Sequence, residues 1–118
     1  MDFKEDVTSQ KAFEFAVKIV EETRVISKEA KEFVMTKQLL RSGTSIGANV
    51  AESKGSISKA EFSAQVGIAY KECLEVKFWL RLLRRTNYLS LKRFEALFKD
   101  ADELGRLLYS ALRTTRGR

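Results

Sequence analysis

The chain has 118 residues, 44% hydrophobic and 32% charged, with 22 Lys and Arg against 16 Asp and Glu and a formal charge of +6. That length holds one hydrophobic core, and the composition is that of a folded domain and not of a solvated tail. With no Pro, no His and one Cys, it excludes an internal disulfide, removes the commonest general base and metal ligand, and leaves little to interrupt long helices.

The first residues, Met1 to Asp6, lack the basic region and apolar stretch of a signal peptide, and no run is apolar enough to cross a membrane. The cytoplasm is the expected compartment. A single domain over 1–118 is expected, with short mobile ends at about 1–6 and 114–118.

The first helix is expected over Thr8 to Arg24, with Phe13, Val17 and Val20 on its core face and Phe15 and Ile19 broadening it. The second is expected to begin after Ser27 and to end near Lys54-Gly55. In it Phe33, Leu40 and Gly47 fall in heptad register, as do Thr36, Gly43 and Val50. Gly43 and Gly47 sit inside the helical pattern, where each costs roughly 1 kcal/mol relative to Ala. Close approach of a neighbouring helix would compensate; a local break at Gly43 is the alternative.

The third helix opens on Ser58-Lys59-Ala60-Glu61, the pattern of a capping box, with Ile57 and Phe62 at the spacing of a hydrophobic staple. Phe62, Val66, Ala69, Cys73, Val76, Leu80 and Leu83 then recur in steps of four and three, a seam that faces partner helices. Asn87-Tyr88-Leu89 is a connection short enough to force an antiparallel neighbour. Ser90 is the expected cap of the fourth helix, with Leu89 and Phe94 at staple spacing, and Phe94, Leu97, Ala101, Leu104, Leu108 and Ala111 form its seam. The result is an all-α, antiparallel up-down-up-down four-helix bundle.

The third helix is apolar over too wide an arc. Leu74, Phe78, Trp79 and Leu82 lie outside its main seam, and Phe78, Trp79 and Leu82 are therefore assigned to a subunit interface between copies of the chain. The alternative is a thick core with a half-exposed Trp79.

In such a bundle the first and third connections share one end. There lie Arg81, Arg84, Arg85, Lys92 and Arg93, with no acid among them, joined by Arg24 and Lys28. Arg106, Arg113, Arg116 and Arg118 gather toward the other end, with Lys54 and Lys59. The helix dipole accounts for Arg84, Arg85 and Arg113 near helix C-termini, but not for Lys92 and Arg93 in a first turn. Those two hint at an anionic partner. Glu72-x-x-Glu75 places two carboxylates on one face, which would suit a magnesium-dependent nucleotide hydrolase. No base, second cluster, phosphate loop or nucleophile motif accompanies them.

The stretch Gln38 to Glu52, with Arg41, Ser45-Ile46, Asn49 and Ala51-Glu52, resembles the second helix of the proteins encoded in 23S ribosomal RNA intervening sequences. Phe62 and Ala69-Tyr70-Lys71-Glu72-Cys73-Leu74-Glu75-Val76-Lys77-Phe78-Trp79-Leu80 are similar to that family's third helix. Ser53 departs from the Gly usual after the Glu, so the second helix is expected to end slightly later. The resemblance implies a bundle assembling into a homopentameric ring, and relates the chain to the basic accessory variability determinant of diversity-generating retroelements. Arg41, Asn49, Glu52, Glu72 and Glu75 fit a structural polar network that fixes register or the subunit contact.

The expected function is thus a non-catalytic homo-oligomeric scaffold, without cofactor or metal, that binds RNA or DNA. Arg81, Arg84, Arg85, Lys92 and Arg93 would contact phosphates, with Arg113 and Arg116 in a second contact. The alternatives are an accessory module that binds a protein partner and, more remotely, the carboxylate-magnesium hydrolase.

Overall fold

The computed structural model describes residues 3–116, with side chains from residue 7 to residue 115. Four helices follow one another: α1 (Phe3–Ala30), α2 (Val34–Ser53), α3 (Lys59–Arg85) and α4 (Leu91–Arg116). Each packs antiparallel on the next, and α4 returns to close more sparsely on α1. The body measures 44 × 21 × 20 Å.

The turn between α3 and α4 is set by a Schellman motif. Asn87 takes a left-handed φ of 70°, which Asn tolerates better than other side chains. Its N–H donates to Arg84 O at 3.1 Å and the Tyr88 N–H donates to Leu83 O at 2.9 Å. The Ser90 hydroxyl then accepts from the Arg93 N–H at 3.2 Å, as its capping position requires. At the start of α3 the Ser58 hydroxyl accepts from the Glu61 N–H. The Glu61 carboxylate reaches back one residue further than a capping box requires, to the Ile57 N–H. Ile57 itself is 90% exposed, so the staple expected there does not form.

The first turn corrects the sequence reading. α1 continues to Ala30, and α2 begins only at Val34. Thr23 and Ser27 do not interrupt the helix because their hydroxyls donate back to Ile19 O and Arg24 O. The chain turns where Lys31 adopts φ 54°. Glu32 then caps α2 with its carboxylate, which accepts from the Val34, Met35 and Thr36 N–H groups at 3.0–3.1 Å. Burial alone would raise the Glu32 carboxyl, but the donors from Thr36, Met35 and Val34 together outweigh it and hold it below the ordinary value.

The seams read on α3 and α4 lie in the core, with Phe62, Phe94 and Ala111 half-buried at its margins. On α1 the phase is different. Ala12, Phe15, Ile19 and Ile26 are buried, whereas Phe13 is 69% exposed and Val17 faces solvent. On α2, Thr36, Gly43 and Val50 point inward and Leu40 outward, as does Phe33 just before the helix. The helix runs unbroken through both glycines. A Cβ on Gly43 would lie 2.8 Å from Ile19 Cγ2, and one on Gly47 would lie 3.3 Å from the Ala12 carbonyl oxygen. The absent side chains let α1 and α2 meet.

Candidate nucleic-acid interface and interhelical polar network

The α1–α2 and α3–α4 turns share one end of the bundle. Arg81, Arg85 and Lys92 are exposed there, as are Arg24 and Lys28. Two members of the expected cluster are committed to the fold instead. Arg84 is half-buried and donates to Leu89 O at 3.3 Å, bracing the turn that follows its helix. Arg93 grips Glu22 of α1 with two parallel donors, Nε at 3.1 Å and the terminal Nη2 on the other oxygen. The Glu22 side chain is only 11% exposed. The anion that Arg93 needs in a helix's first turn is therefore intramolecular. Lys92 alone keeps the mismatch between a cation and a helix N-terminus.

Toward the other end, Arg113 is exposed on α4, and Arg106 shares Asp102 with Lys77 of α3. The hydrogen bond from Lys77, and with it Arg106, holds the Asp102 carboxyl below its ordinary value. The side chains of Arg116 and Arg118 lie outside the described residues.

Between α2 and α3 a polar network does form. Arg41 Nη1 lies 3.4 Å from Glu72 and its Nη2 pairs with Glu75. Ser45 donates to Glu72 at 3.4 Å, and Asn49 Nδ2 donates to the Ser45 carbonyl and hydroxyl. Glu52 is exposed and stays outside, one turn beyond the network's reach. Ser45 and Trp79 take a place in it that sequence reasoning missed. Helical spacing alone puts Ser45 four residues from both Arg41 and Asn49. The Trp79 indole N–H donates to Glu75 at 3.1 Å. That bond, with the Arg41 ion pair, lowers the Glu75 carboxyl. Both carboxylates of the Glu72-x-x-Glu75 pair thus face an arginine. Among the described residues no group of three or more Cys, Asp or Glu is arranged to hold a metal ion.

Phe78 is half-exposed, while Trp79 and Leu82 are half-buried; the Phe78 and Trp79 rings meet edge to face at 5.0 Å. More apolar surface faces solvent elsewhere, at Phe13 and Val17 on α1, Leu40 on α2 and Phe33 just before α2. There Val20, Phe33 and Leu40 line a shallow groove of about 300 Å³. A larger groove of about 690 Å³ runs between α3 and α4, walled by Tyr70, Leu74, Tyr109 and Arg113. Cys73 lies at its floor, where burial pushes the thiol up to about 12, so it is neither nucleophile nor ligand at neutral pH. Among the described residues no helix is long and apolar enough to cross a membrane.

Residues 4–110 match the family model of the 23S rRNA-intervening sequence protein. A crystal structure of a protein with unknown function from the S23 ribosomal protein family of Bacteroides thetaiotaomicron is similar over 94% of this chain and 99% of its own. The two are 44% identical, with a TM-score of 0.92. No curated protein matches the chain.

Proposed function

Because this chain belongs to the 23S rRNA-intervening sequence protein family, we propose that it is a non-catalytic, homo-oligomeric cytoplasmic scaffold that binds RNA. The observation that carries the reading is the α3–α4 end. Arg81, Arg85 and Lys92 are exposed there, with no acidic residue between positions 81 and 93. Unpaired guanidinium and ammonium groups attract phosphates without reading sequence. Assembly into a ring, which the family resemblance implies to be pentameric, would repeat this weak patch and raise its avidity.

Self-association is favoured by the apolar side chains that one copy leaves in water, Phe13 and Phe33 among them. It is also favoured by Glu72 Oε1, which is enclosed yet has no hydrogen-bond partner among the described residues. A second copy is one source of the donor that such a group needs.

Filter binding of single-stranded RNA across a salt series tests the reading. Wild-type protein is expected to bind more weakly as salt rises, and Arg81/Arg85/Lys92→Ala to lose affinity and flatten the slope by about one contact per cation. Arg84 and Arg93 are left intact because they hold the fold. Absence of binding at low salt, or an unchanged triple variant, refutes RNA binding by this end. Light scattering of the same protein reports the subunit number, and a monomer refutes the scaffold.

A further inference from the structure

We propose that the groove between α3 and α4 is a binding site for a nucleotide, with the base against Tyr70 and Tyr109 and the phosphate held by Arg113 and Arg106. It combines features that no other cavity of the described residues combines. The Tyr70 and Tyr109 rings stand 5.7 Å apart and tilted at 44°, presenting an aromatic wall at the groove. Neither hydroxyl has a hydrogen-bond partner among the described residues. The groove is lined by three cations, Lys77, Arg106 and Arg113, and by one carboxylate, Asp102, which leaves it two positive charges in excess. Arg113 has no acidic partner among the described residues, and Arg106, although it touches Asp102, shares that carboxylate with Lys77.

The floor is open because Gly105 carries no side chain. A Cβ there would meet nothing nearer than Cys73 Cβ at 3.9 Å. That is ordinary contact, so packing does not demand glycine at this position; its effect is to deepen the groove. At about 690 Å³ the space is within the usual range for sites that take a small molecule. A bare phosphate would use the cations and leave the ring wall idle. A neutral aromatic would do the opposite. A nucleotide uses both, since bases stack on aromatic side chains while arginine holds phosphate.

The same chemistry arrives as a free nucleotide or as an unpaired nucleotide within a strand. The strand source deepens the RNA-binding reading above and rests on it. Calorimetric titration of the wild-type protein with AMP, UMP and inorganic phosphate is the first measurement, followed by filter binding of single-stranded RNA. Saturable nucleotide binding is expected, with inorganic phosphate a poor competitor. Tyr109→Leu and Arg113→Gln, both at exposed positions and neutral for the core, should each weaken the nucleotide by roughly tenfold.

RNA affinity that falls in these variants assigns the groove to a strand; RNA affinity that is unchanged while AMP is lost assigns it to the free nucleotide. No nucleotide binding up to millimolar concentration overturns the site, as does phosphate competing as well as AMP or nucleotide binding untouched by both variants. RNA binding that persists with an inert groove overturns this inference alone. AMP binding without RNA binding overturns the earlier reading alone.

Discussion

Replacing Gly43 by Ala sets two effects of known sign against each other. In an exposed helix the change would stabilise by roughly 1 kcal/mol through backbone propensity. Here the new Cβ would sit 2.8 Å from Ile19 Cγ2 and 2.9 Å from Cγ1, against an optimum near 3.5–4.0 Å. Ile19 is fully buried, and its β-branch allows little rotation within a helix. Overpacking of this kind costs about 1–3 kcal/mol, and two atoms overlapping at once place Gly43 toward the upper end. The net expectation is a loss of about 1–2 kcal/mol once propensity is credited. Equilibrium unfolding in urea at fixed protein concentration measures it. Ile19→Ala should cost about 2–5 kcal/mol alone, and the double variant should cost at least about 1 kcal/mol less than the sum. Gly43→Ala as stable as wild type, or additive with Ile19→Ala, would refute the claim that α1 and α2 meet through this missing side chain.

Four further outcomes are expected. Glu32→Ala should lose about 1–2 kcal/mol, the usual worth of a helix cap, with fraying of α2 visible in amide exchange at Val34 to Thr36. Arg93→Ala should destabilise by about 1–2 kcal/mol because it strands a nearly buried carboxylate, discounted for Arg93's own exposure, whereas Lys92→Ala should leave the melting temperature unchanged. The Glu75 contribution is complete above the ordinary carboxylate value of 4.5 and disappears as pH falls through its depressed folded value. Stability curves of wild type and Glu75→Gln should therefore converge in acid, from a gap of at most about 1 kcal/mol. Cys73 should resist thiol reagents at pH 8 in the native state and react once the chain is unfolded; rapid labelling of folded protein would contradict its burial.

The halves of the chain differed in how readable they were. α3 and α4 announce themselves through Ser58, Glu61, Asn87 and Ser90, and the seams read on them are the ones that lie in the core. α1 and α2 lack such punctuation. Their turn runs through Lys31 in a left-handed conformation, a position where sequence reasoning looks for Gly or Asn, and Glu32 caps with a longer side chain than the usual Ser, Thr, Asp or Asn. α1 carries apolar residues on two overlapping stripes, so periodicity alone does not say whether Phe13 or Phe15 points inward. The answer lies in Gly43, which leaves room on α2 for Ile19 and so fixes the phase of α1. In the candidate sites, composition located the cations but not their partners: Glu22 lies 71 residues from Arg93 in the chain. Only the fold brings them together.

The boundary between the first and last helices is stitched by Lys11–Glu103, Lys18–Asp100 and Glu22–Arg93, while its packing is the sparsest of the four contacts. Ions weaken in brine where grease does not. This protein therefore carries a seam whose strength depends on the medium, and concentrated salt should let α1 peel from α4 before any other pair separates.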